Sequence, residues 1–137
     1  MQKYSVLRIT IFSAIIVVIV YLAYIFFLKE IILNNSSRSI KVKSLYDDKI
    51  YSLGKHKEQG PIYSFELEIK GKSDKNFSFY YGPEKNPSVQ QVSLKKGDID
   101  FVYAGDWYSD SCFVIFPSDP TWKGDLEITY RFIGTKN

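Results

Sequence analysis

The densest run of residues able to do chemistry is Asp106, Trp107, Tyr108, Ser109 and Asp110, set between two apolar stretches. Aromatic faces flanked by carboxylates suit the binding of a sugar or a peptide, because the ring supplies burial and the carboxylates accept hydrogen bonds. Trp122, in the stretch Asp119, Pro120, Thr121, Trp122, Lys123, Gly124, offers a further ring in another loop. Exposed tryptophans on adjacent loops make a recognition surface, since Trp and Tyr are enriched among residues that dominate binding. The predicted binding set is therefore Asp106, Trp107, Tyr108, Asp110 and Trp122. The competing reading is structural: large aromatics are mostly buried, so Trp107 or Tyr108 plugs the end of a core while the acids solvate the loop.

Catalytic and metal chemistry find little support. His56 is the sole histidine and lies in the polar stretch Gly54 to Gly60, which reads as an exposed loop. Cys112 is the sole cysteine, which excludes an internal disulfide and a multi-cysteine zinc site. Its place in the apolar run Cys112 to Phe116 predicts a buried, inert thiol. The chain has no nucleophile elbow, phosphate loop or paired histidine ligands. Asp98 and Asp100 fall on one face of a predicted strand, and Asp106, Asp110, Asp119 and Asp125 follow in turns. Such oxygens can ligate calcium, but their spacing is not that of an EF-hand, and aspartate is ordinary in solvent-facing turns. No catalytic residue, metal ligand or cofactor is assigned, and a non-enzymatic protein is expected. A carboxylate pair assembled across a sheet would be the one route to a hydrolase.

The net charge of +3 comes from 18 Lys and Arg against 15 Asp and Glu. All but Lys3, Arg8, Lys29 and Glu30 lie from Asn34 onward, which leaves a nearly neutral 15 against 14 there. Nucleic-acid binding needs basic residues clustered on one face, whereas both signs are interspersed from Lys41 to Lys136. No nucleic-acid partner is expected.

What must position these residues begins with Ile9 to Leu28, ITIFSAIIVVIVYLAYIFFL, broken only by the small hydroxyl side chains of Thr10 and Ser13. As a helix this run spans roughly 30 Å, the thickness of a bilayer's hydrocarbon core. The apolar region of a cleaved signal peptide is shorter and ends in small residues, whereas this one ends in Phe26, Phe27, Leu28, Lys29 and Glu30. The division predicted is a short basic tail (1–8), a transmembrane signal-anchor helix with its exit (9–33), a polar linker (34–39) and a folded domain (40–135). Lys29, Arg38, Lys41 and Lys43 on the far flank, with Glu30 among them, outnumber Lys3 and Arg8 before the helix and pull the positive-inside rule toward a cytoplasmic domain. A short basic tail before an apolar helix has the form of a signal anchor with its domain outside the cytoplasm, which is the orientation expected.

Beyond the linker the apolar period becomes two. Tyr63, Phe65, Leu67 and Ile69 alternate with Ser64, Glu66, Glu68 and Lys70, which places the first set inward on a strand. The same alternation marks Ile40 and Val42, Phe77 to Tyr81, Ile99 to Tyr103, and Leu126 to Phe132. Ile50 to Leu53, Val89 to Leu94 and Phe113 to Phe116 are further strands, the last of them central. Gly, Pro and Asp clusters separate them, among them Gly82-Pro83 through Pro87. Short strands at this spacing predict an all-β antiparallel sandwich, jelly-roll-like, behind the single helix. The stretch VSLKKGDIDFVYAGDWYSDSCFVIFPSDPTWKGDLEITYRF resembles, in its order of strands and turns, the later strands of carbohydrate-binding or pre-peptidase-type jelly rolls. That layout transfers no functional residue.

The function expected is that of a single-pass, membrane-tethered binding module for a protein or carbohydrate. A structural subunit held in a membrane complex by its helix is the alternative. Ser13, Ala14 and Ala23 are too sparse for a small-residue helix interface.

Overall fold

Residues apolar all round have no polar face to turn to water, and Ile9 to Leu28 accordingly form no part of a folded core. In the computed structural model, which describes residues 2–85 and 90–136, this segment lies in a nearly continuous helix. α1 is Gln2–Ala23, a π-helical turn spans Tyr24–Leu28, and α2 is Lys29–Asn35. Between residues 8 and 28 no side chain is buried, and the helix is long and apolar enough to cross a membrane. A secretion signal near an N-terminus has the same character.

Eight strands follow among the described residues: β1 Arg38–Val42, β2 Lys49–Gly54, β3 Gln59–Ser73, β4 Phe77–Gly82, β5 Gln91–Leu94, β6 Gly97–Asp106, β7 Ser111–Phe116 and β8 Gly124–Lys136. They form two four-stranded antiparallel sheets, ordered β1-β8-β3-β6 and β2-β7-β4-β5. The pairs nest: β4 with β5, β3 with β6, β2 with β7 and β1 with β8. The chain is thus one long hairpin rolled into a sandwich, the jelly-roll architecture that its alternation predicts. The expected strand start at Val89 and the turn residue Pro87 lie outside the described residues.

Inward-facing residues meet between the sheets as one aromatic-rich core. Phe65, Leu67, Ile69, Leu126, Ile128 and Phe132 form one wall, facing Leu53, Phe77, Phe79, Cys112, Val114 and Phe116 on the other. β7 lies between β2 and β4, and Val114 to Phe116 are buried whichever way they point, as the apolar run predicts. Rings interlock in chains such as Phe65 on Phe132 at 4.6 Å and Phe79 on Phe101 at 5.2 Å.

Two local expectations change. Tyr63 is exposed and Ile62 buried, because β3 slips its register against β8 on either side of Ile62. Such a bulge inserts a residue and reverses which side chain faces inward. The predicted linker 34–39 is also not a linker. Asn34 and Asn35 are helical, β1 begins at Arg38, and only Ser36 and Ser37 connect them.

β3 depends on a glycine where its partner strand presses closest. Gly71 has φ +144°, and a Cβ there would lie 1.9 Å from the Asp125 carbonyl oxygen. Gly71→Ala is therefore expected to destabilise the fold by about 2 kcal/mol or more through backbone strain alone. The shift in the urea midpoint, followed by tryptophan fluorescence, measures it.

Candidate functional site

The aromatic rings predicted to bind a ligand are core residues instead. Trp107 is 8% exposed, its Nε1 donates to the Ser111 carbonyl at 3.2 Å, and its ring packs 5.0 Å from Phe65. Trp122 is 4% exposed, donates from Nε1 to Ser73 Oγ at 2.8 Å, and meets Phe77 edge-on at 6.1 Å. Burial with a satisfied indole N–H is the energetically complete state for a tryptophan, so neither ring is left for a ligand.

The indoles are also far apart. The Trp107 backbone N–H bonds the Tyr63 carbonyl, near one end of β3, while Trp122 bonds Ser73 at the other. At the rise of a strand those positions stand roughly 30 Å apart. The DWYSD loop and the Trp122 loop therefore cap opposite ends of the sandwich. Of the predicted set, Tyr108 is exposed, at 81%. Asp106 and Asp110 are exposed, and Asp110 lies 3.0 Å from Lys55 Nζ.

Of the other acids in turns, Asp119 is engaged locally. Asp119 accepts from the Thr121 hydroxyl at 2.7 Å and the Thr121 backbone N–H at 3.0 Å, with Lys75 at 3.3 Å. The Thr121 hydroxyl, followed by its backbone N–H and Lys75, holds the Asp119 carboxyl below its ordinary range. Among the described residues no three of His, Cys, Asp and Glu converge as a metal site. Cys112 is fully buried, and burial pushes its thiol up to about 12.

The outer faces of the two sheets differ sharply in charge. On the first, the register lines up Lys41, Glu127, Lys70 and Asp100 across four strands, alternating in sign, with Asp125, Lys72 and Asp98 in the next row. Opposite charges on adjacent strands complement each other and leave a solvated surface. Beside them Arg131 clamps Glu66 through Nε at 3.0 Å and Nη2 at 2.5 Å.

On the second sheet one cross-strand row reads Ile50, Ile115, Tyr80 and Gln91, and the next reads Ser52, Phe113 and Gly82. The outward residues Ser78 and Ser93 pair at 3.0 Å. No outward strand position on these rows carries a charge. Ile50 is 52% exposed, whereas Ile115 beside it is 8% exposed without belonging to the core cluster. Lys85 lies over the Phe113 ring at 5.6 Å. This uncharged face, with an apolar centre and hydroxyl and amide edges, is the candidate site. Period-two alternation marks its residues as outward, but only the register brings them together.

A further polar centre joins helix to sandwich. Asn34 donates from Nδ2 to the Gly134 carbonyl at 2.9 Å, and its Oδ1 accepts from Gly134 N–H at 3.1 Å and Gln59 Nε2 at 3.0 Å. Gln59, itself buried, also donates to the Phe132 carbonyl at 2.7 Å and accepts from His56 N–H at 2.9 Å. Arg38 donates to His56 Nδ1 at 2.8 Å, so the ring is neutral with its proton on Nε2. Burial, then the Arg38 charge, lowers the His56 pKa below its ordinary 6.5. Sequence reasoning missed Asn34 and Gln59, because a polar run after an apolar helix reads as linker and a lone glutamine carries no period.

Truncating either indole is expected to cost stability rather than a ligand: Trp107→Ala and Trp122→Ala each lose about 3–5 kcal/mol, while exposed Tyr108→Ala stays within roughly 0.5 kcal/mol of the parent. Denaturant midpoints separate these cases. His56 makes a second prediction. Its depressed folded pKa means that the unfolded chain takes up the proton first. Stability is therefore complete above pH 6.5 and falls as pH drops from there through the folded value. The difference in melting temperature between the protein and His56→Gln, recorded across that window, should shrink as pH falls; a constant difference contradicts it.

No protein-family model and no curated protein sequence matches the chain. Among solved structures it is similar to a chain of the disulfide-linked pili of Bacillus endospore appendages, with 14% identity and a TM-score of 0.40 over 73% of this chain and 87% of that one. It is similar to PirA, with 13% identity and a TM-score of 0.37 over 70% and 92% of the two chains. A carbohydrate-binding module of family 29 shows 10% identity and a TM-score of 0.32 over 73% and 91%. At these values no function passes from those proteins to this one.

Proposed function

We propose that this chain is a single-pass, membrane-tethered β-sandwich that binds a partner protein, without catalysis, through the outer face of the sheet β2-β7-β4-β5. The observation that carries this reading is the contrast between the faces: one sets opposite charges side by side in cross-strand register, the other presents Ile50, with half-buried Tyr80 and Phe113 around buried Ile115, and has no charged outward residue on these strands. Ion-paired faces are content in water, whereas depletion of charge around aromatic and apolar side chains is the mark of an interface core. Carbohydrate is the second reading. Tyr80 flanked by Ser78, Gln91 and Ser93 supports it, while aliphatic Ile50 and the cation over Phe113 favour protein.

The tether rests on the helix. Its apolar surface between residues 9 and 28 is exposed on every side, and such a surface is stable when hydrocarbon covers it. The basic tail before the apolar run supports a signal anchor with the sandwich outside the cytoplasm. A reporter fused after Asn137 that works only on that side reads the orientation.

A photo-crosslinker placed at Phe113 or Tyr80 in intact membranes is expected to capture a protein, and Ile50→Lys to abolish the capture while the melting temperature holds. The same probe at Lys70, on the charged face, should capture none. Equal capture from both faces, or capture unaffected by Ile50→Lys, removes this face as the site; binding to a glycan array that depends on Tyr80 transfers the reading to carbohydrate.

A further inference from the structure

The helix and the sandwich are joined in a way that sets how the domain meets the bilayer. Lys29 is the first charge after the apolar run, so in a spanning helix it stands at the edge of the hydrocarbon core. Lys29 Nζ lies 3.1 Å from Glu58, in the loop between β2 and β3. A loop of the folded domain is therefore at the same depth as the membrane exit.

The domain also flanks the last turns of the apolar run. Phe26, Phe27 and Ile31 of the helix line a cleft of about 350 Å³ with Tyr63 and Ile133 of the sandwich. Tyr63 is turned outward there by the bulge in β3. Its carbonyl accepts the Trp107 N–H, which places the DWYSD loop and its exposed Tyr108 at the same end. Lys57, also exposed, lies in the loop that carries Glu58.

The attachment is short and held at several points. Only Ser36 and Ser37 connect helix and β1, Asn34 is held by the Gly134 backbone and Gln59, and Arg131 Nη1 donates to Asn35 Oδ1 at 3.3 Å. From Lys29 to Asn34 the helix rises about 7.5 Å, and a headgroup layer is roughly 5–8 Å thick on each side. Asn34, where the sandwich is pinned, thus stands near the outer edge of that layer, and parts of the domain that reach down to Lys29 lie within it.

Resting on the tethered reading above, we propose that the helix-proximal end of the sandwich sits in the headgroup layer of its own membrane, with Tyr63, Tyr108 and Lys57 contacting lipid. Tyrosine suits that layer because its ring enters the acyl boundary while its hydroxyl bonds headgroup oxygens, and lysine extends its stem to reach phosphate. The loop first read as a ligand site becomes a membrane contact. The Trp122 end lies roughly 30 Å away along β3.

The test uses the full chain reconstituted in phosphatidylcholine vesicles, with an environment-sensitive fluorophore on Tyr108→Cys, Lys57→Cys, Lys95→Cys or Ile19→Cys, one at a time. Buried Cys112, with its raised thiol pKa, stays unlabelled. Nitroxide on the lipid headgroups is expected to cut emission at positions 108 and 57 about twofold. Position 95, at the far end of the sandwich roughly 30 Å away, should not respond. Nitroxide deep in the acyl chains should quench position 19. If 19 is quenched while 108 and 57 behave like 95, the tether stands and the proposed contact is wrong. If 19 is unquenched as well, the tethered reading fails with it.

Discussion

Almost every feature of this molecule hangs on β3, which is hydrogen-bonded along one edge to β6 and along the other to β8. Its inward side chains Phe65, Leu67 and Ile69 are fully buried and form the middle of one core wall. At its far end Gly71 lets the β8 backbone approach closer than any side chain would permit, and Ser73 receives the Trp122 indole. At its near end the bulge turns Tyr63 out beside the helix, while Gln59 is drawn in to bond Asn34. One strand thereby sets the core, closes the distal end and pins the helix.

The two outer faces show how charge is spent in a nearly neutral domain. Strand register alternates lysine with glutamate and aspartate across the first sheet, which answers the charges locally and leaves that face comfortable in water. The second sheet has no such lattice, and its central row is aliphatic and aromatic. Ile115 is buried on the outer side, apart from the core.

Coupling between the helix and the sandwich is polar and specific rather than a greasy contact. Gln59 is buried with its amide donating twice and accepting once, so removal of any partner leaves a buried group unsatisfied.

The sequence by itself determined the elements. An unbroken apolar run long enough to cross a bilayer needs no context to become a lone helix, and apolar alternation with period two needs only one buried face to become strands. The inert burial of Cys112 followed from its apolar neighbours in the same way. Only the tertiary structure decided which side of each ambiguous residue won. Trp107 and Trp122 went to the core because Phe65 and Phe77 stand opposite them with acceptors for their N–H groups, and Tyr63 went to the surface because a one-residue slip reversed its parity. Asn34 became a joint instead of a linker because Gln59 and Gly134, distant in sequence, arrive beside it. Periodicity is a local property of the chain, whereas register and partner choice come from pairings between distant segments.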